Sequence, residues 1–191
     1  MGALIFFVII AIIGFKIVSS ISGNSNRMAW EAAGVELGLL YQAGSFMSGP
    51  QLQGSVDGLR VIVDTVSRKS GNSSTTYTRY QVFYPGPLGL GLALKRQGSF
   101  SGMAKFFGAQ DVELDDPNFD EAVVVKARDP DGVRAFLNAD RRYRVWRALN
   151  TWPDLHIDDQ EVRLETRGRE DEDRKLCGIV RQLVELAAVM S

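Results

Sequence analysis

The sequence predicts an α+β fold: an N-terminal transmembrane helix, then one domain in which a mainly antiparallel sheet packs against two or three helices. Three observations carry this expectation. Ala3 to Phe15 is an unbroken apolar run closed by Lys16. Between Leu52 and Tyr84, segments rich in β-branched and aromatic residues are separated by turn residues, the pattern of antiparallel strands. From Leu176 to Met190, apolar residues return at helical spacing.

The opening run reaches a bilayer-spanning length of about 20 residues when counted from Gly2 to Ile21, provided that Lys16 snorkels toward the headgroups. A cleaved secretory signal is the alternative, with Ser20 and Ser22 as small residues for a cleavage site. No Lys or Arg precedes the run, which favours an uncleaved anchor. Lys16 and Arg27 both follow it, so the positive-inside rule places the domain in the cytoplasm. The expected organisation is a membrane anchor over 1–22, a juxtamembrane helix and loop over 23–50, and a soluble α+β domain over 51–191. The anchor implies a single-pass membrane protein that contacts the lipid bilayer through residues 2–21.

A formal net charge of −1 over 191 residues argues against a nucleic-acid partner, because phosphate binding needs a concentrated excess of Lys and Arg. Cys177 is the only cysteine and His156 the only histidine. An intrachain disulfide is therefore impossible, and a zinc site of the usual N/S type lacks ligands. No cofactor is expected.

Taken in order, Met28 to Tyr41 reads as a helix whose Gly34 and Gly38 let it lie close on a sheet. Leu52–Val56 and Leu59–Val66 flank Asp57-Gly58, the signature of a type I′ hairpin. Ser67 to Thr75 reads as a polar loop and Thr76 to Tyr84 as a strand. Pro85 to Arg96 holds several glycines, but not the Gly-x-Gly-x-x-Gly of a dinucleotide site, and a turn before a bulged strand explains them. Gly98 to Gly102 has Phe100 where a nucleophile elbow needs serine. Ala122 to Arg128 is a buried strand. Asp129 and Pro130 then start a helix running to about Leu149, with Phe136, Tyr143, Trp146 and Leu149 near one face. Leu155 to Thr166 reads as a final hairpin or bent strand.

Two clusters are candidates for chemistry. Asp111, Glu113, Asp115 and Asp120 form an acidic block whose alternation puts three carboxylates on one side of an extended chain, as a divalent-cation site would require. The register lacks the glycine and the closing glutamate of an EF-hand loop, and a solvated strand edge followed by an Asp-Pro turn accounts for the same residues. Arg141, Arg142, Arg144 and Arg147 could grip a phosphate or an anionic lipid headgroup, or serve as structural partners for the chain's acids. His156 has no paired serine or cysteine nearby in sequence and reads as an ordinary strand residue.

The order of elements resembles a group of uncharacterised bacterial single-pass membrane proteins. It is carried by the N-terminal apolar run, the Trp30 helix, Gly54–Gly58, Asp111-Val-Glu113 leading to Phe119-Asp120, and the arginine-rich and terminal helices. The resemblance implies a bacterial inner-membrane location and adds no catalytic residue. With no complete nucleophile, base and oxyanion set, the expected function is a membrane-tethered, non-catalytic domain that binds a protein or lipid partner, with a protein partner in the membrane in view. The alternative is an enzyme or sensor with a divalent cation on the acidic block.

Overall fold

Two tight turns and one long ladder organise the chain. In the computed structural model, which describes residues 26–45, 48–98 and 110–191, a first helix α1 covers 26–37. It stops at Gly38, which adopts φ +68°; the Leu39 amide closes back on the Gly34 carbonyl at 2.8 Å, a glycine-terminated helix end. Strand β1 (Leu40–Gln42) then pairs antiparallel with β2 (Gln51–Val56). Asp57 and Gly58 take φ values of 51° and 82°, the left-handed pair that a type I′ turn demands. They join β2 to β3 (Leu59–Ser70). The stretch expected as a loop from Ser67 to Thr75 is instead the tip of a long hairpin: β3 pairs with β4 (Ser73–Phe83) down to Ser70↔Ser73, around Gly71 at φ +58°.

Strand β5 (Ala93–Arg96) is shorter than the bulged strand expected there. β6 (Gln110–Asp111), α2 (Pro117–Ala122), β7 (Val123–Ala127), α3 (Pro130–Phe136) and α4 (Ala139–Thr151) follow. The chain closes with β8 (His156–Asp158), β9 (Glu161–Arg167) and α5 (Asp173–Met190). Among the described residues the strands form one sheet in the order β1-β2-β3-β4-β9-β8-β5-β7-β6, antiparallel at every pairing.

Alternation sorts the two faces. Val61, Val63, Tyr80, Val82, Val162 and Leu164 are buried on one face, where α5 lies across β3, β4 and β9 and α4 packs on α5 and β5. The other face carries polar partners. Arg79 donates to Asp64 at 2.9 Å, and Gln81 donates to Glu161 at 2.7 Å.

Two expectations are corrected. The α+β class and the mainly antiparallel sheet hold, but the transmembrane helix does not: no helix among the described residues is long and apolar enough to cross a membrane. The longest, α5, is amphipathic, with Leu176, Val180, Leu183 and Ala187 buried and Arg174, Lys175, Arg181 and Glu185 on its outer side. The apolar run at 3–15, and with it the anchor at 1–22, lies outside the described residues, as does most of the Gly98 to Gly102 motif. The single-pass, inner-membrane location built on that helix is withdrawn with it. The stretch 23–50 is also more than a connector. Trp30 is fully buried and its indole N–H donates to the Glu170 carbonyl at 2.8 Å, so α1 and β1 belong to the same core as the residues after 51.

Candidate partner-binding site

The acidic block folds upon itself. Asp111 extends from β6 and pairs with Lys126 at 2.8 Å. Asp115 adopts φ +56°, turning the chain back so that the Asp120 carboxylate accepts the amides of Leu114 and Asp116 at 3.1 Å each. Asp116 caps α2, accepting from the Phe119 amide at 3.3 Å, and Pro117 occupies the first turn, where its missing N–H costs nothing. The expected Asp-Pro turn and strand start are therefore a short helix. Glu113 points elsewhere: its carbonyl, not its carboxylate, accepts from Arg134 at 3.3 Å. No group of three or more His, Cys, Asp or Glu among the described residues is arranged to hold a metal ion. Asp111, Glu113, Asp115 and Asp120 are not brought together around one point.

The four arginines also part company, because the long helix expected from Pro130 to Leu149 is two helices. α3 ends at Phe136 with Leu137 as its C-cap, and Asn138 caps α4 by accepting from the Arg141 amide at 3.0 Å. Arg141 and Arg142 thus stand at the start of α4 rather than near the end of one long helix. There they donate to the Phe136 carbonyl at 3.0 Å, which also accepts the Asn138 amide, and to the Leu137 carbonyl at 2.8 Å, adding partners for carbonyls at the end of α3. The Arg141 guanidinium also lies 4.0 Å from the centre of the Phe136 ring and donates to the Val189 carbonyl at 2.8 Å. Arg142 donates to Asp116 at 3.0 Å. Arg144 pairs with Asp140 at 2.9 Å and lies 3.6 Å from Glu185. Arg147 is exposed. Three of the four are committed within the domain, which leaves no clustered anion grip.

What these two clusters build together is a groove. α2 and the first turn of α4 are bolted by the Asp116–Arg142 pair, and between them opens a cleft of about 670 Å³. Phe119, 3% exposed, lies at its base, with Arg96 and Gln97 of the β5 end, Glu121 of α2, and Tyr143 and Trp146 of α4 around it. The break at Asn138 sets the phase of α4, so that Val145 and Leu149 face the core while Tyr143 and Trp146 stand 59% and 40% exposed. Sequence periodicity had put both aromatics on the buried face. The signal that could have found them is Asn138 followed by Asp140, a capping residue before a new acidic first turn.

Cys177 and His156 are held inside the fold. Cys177 is buried, and burial, reinforced by Glu36, pushes its thiol up to about 11; it packs as a small apolar side chain. His156 is buried on β8 and its Nε2 sits 3.2 Å from Asp158. Burial raises the Asp158 carboxyl, but the hydrogen bonds from His156 and from the amides of Gln160 and Glu161 outweigh it and hold the group below its ordinary value.

No family model matches the chain, and no curated protein matches it. In fold it is similar to the crystal structure of the mycobacterial trehalose monomycolate transport factor A, TtfA. The TM-score is 0.54 at 12% identity, over 87% of this chain and 96% of that one. At that identity the likeness shows the fold alone.

Proposed function

We infer that this is a non-catalytic binding domain that docks a protein partner in the cleft between α2 and α4. The observation that carries the reading is the exposure of Tyr143 and Trp146 beside a cleft based on the buried Phe119. Aromatic residues and arginine are the side chains that most often anchor protein interfaces, and they work best around a site that can be fully desolvated. The charges on the rim have both signs, Arg96 against Glu121, and the Asp116–Arg142 pair is neutral. That balance suits a polypeptide of mixed charge better than an anionic lipid surface, which calls for unopposed cations. The name of the structural neighbour, a transport factor, is compatible with a role that involves no catalysis.

The test uses the full chain with a photo-crosslinking residue at Tyr143 and, separately, at Met28, which is also exposed (57%) but lies on α1. The same polypeptide should crosslink at 143 and not at 28, and should be lost when Trp146→Ala is added. Equal crosslinking at both positions, or indifference to Trp146→Ala, sinks the reading.

A further inference from the structure

Across β5, β8 and β9 the polar face of the sheet carries a two-row array. Leu94 pairs with Ile157 and Ala93 with Asp158, which sets Lys95 beside His156; His156 in turn pairs with Arg163. One row therefore reads Lys95, His156, Arg163, and the row next to it reads Ala93, Asp158, Glu161. Residues two apart on a strand share a face, so each of the three basic side chains has a position for an acid beside it on its own strand. His156 meets Asp158 at 3.2 Å, and Arg163 meets Glu161 at 3.1 Å. On β5 the corresponding position is a methyl group, Ala93.

Lys95 is left out of the pairing as a result. It is 5% exposed, and its Nζ is buried with no hydrogen-bond partner among the described residues. Burial and the neighbouring Arg163 both lower its pKa, the mark of an ammonium without a counter-charge. No Asp or Glu among the described residues, which include every Asp and Glu of the sequence given, reaches it. An orphaned buried amine is costly to keep, and a side chain as adaptable as methionine would fill the same space without that cost.

We propose that Lys95 is the binding point for a carboxylate supplied from outside the chain, which takes the position an acidic side chain at 93 would hold. A single carboxylate completes the repeating pattern of basic and acidic groups in the array. A doubly charged phosphate would add a second negative charge beside Asp158 and Glu161, and chloride lacks the two oxygens of the missing side chain, so the array selects a singly charged carboxylate. This site lies on the sheet face away from α5 and is independent of the cleft between α2 and α4.

The experiment is thermal unfolding of the full chain in acetate, chloride and phosphate at matched ionic strength. Acetate is expected to raise the Tm saturably, by about 4 °C at ten times its dissociation constant, with chloride and phosphate without effect. Lys95→Met should lose the acetate response, and Ala93→Asp should raise the Tm and lose it too. Equal Tm in all three salts, or a Lys95→Met protein that still responds to acetate, overturns the proposal. Should either variant fail to fold, the Lys95 side-chain NMR resonance of the unmodified protein decides. A saturable shift with acetate supports the site, and an unmoved resonance removes it.

Discussion

The Asp159 carboxylate accepts the Gly91 amide at 2.7 Å and, with its other oxygen, the Leu92 amide at 2.7 Å. Through this bidentate grip the turn between β8 and β9 fixes the approach to β5, two segments far apart in sequence. Hydrogen bonds to a charged acceptor are worth about 1.5–3 kcal/mol each. Asp159→Ala is therefore expected to lower stability by about 3 kcal/mol, read as a shift in urea midpoint at constant slope. Gly91→Ala should be at least as damaging, since it sits at φ +62° and an added Cβ would come within 2.7 Å of the Arg128 Cβ.

Trp146→Ala should leave stability within about 0.5 kcal/mol of the parent, because the indole lies largely outside the core. Partner binding should fall by at least tenfold, the loss that an anchoring aromatic gives. Equilibrium unfolding beside a binding titration checks both halves.

Arg142→Ala removes a side chain that joins Asp116, the cap of α2, to the Leu137 carbonyl at the end of α3. A cost of about 2 kcal/mol is expected, with the cleft loosened. Arg147→Ala, on the exposed side of α4, should be silent. Paired unfolding curves separate the two.

The Asp158 carboxyl lies below its ordinary value of 3.8 in the folded protein. A depressed carboxyl contributes stability that is fully present above the unfolded value and is lost as pH falls through the folded one. The stability gap between the parent and Asp158→Asn should therefore hold at neutral pH and close below about pH 4, as followed by denaturant midpoints across pH.

Millimolar calcium or magnesium is expected to leave the Tm unchanged. Asp120 is occupied by two backbone amides and Asp111 by Lys126, so the acidic block offers no preformed oxygen cage among the described residues.

Strand pairings were legible wherever local chemistry dictates them. Asp57-Gly58 admits little but a tight turn, and Leu155 to Thr166 alternates cleanly into β8 and β9. The tip at Gly71-Asn72 was missed because serines and threonines of an exposed ribbon read as loop when no face is buried. The cleft was illegible for a different reason. Its aromatics, Tyr143 and Trp146, lie near helical spacing from Phe136 and Leu137, and only the break at Asn138 rotates them outward. The acidic block and the arginines were found as clusters but not as partners of each other, since Asp116 and Arg142 meet only in three dimensions.

The tie between Trp30 and Glu170 spans 140 residues of chain. At a synthesis rate of about 5–20 residues per second, the indole waits roughly 7 to 30 s on the ribosome before its partner is made. β4 likewise waits for β9, which completes the centre of the sheet. The N-terminal half therefore leaves the ribosome with its apolar face uncovered until α5 arrives to close it.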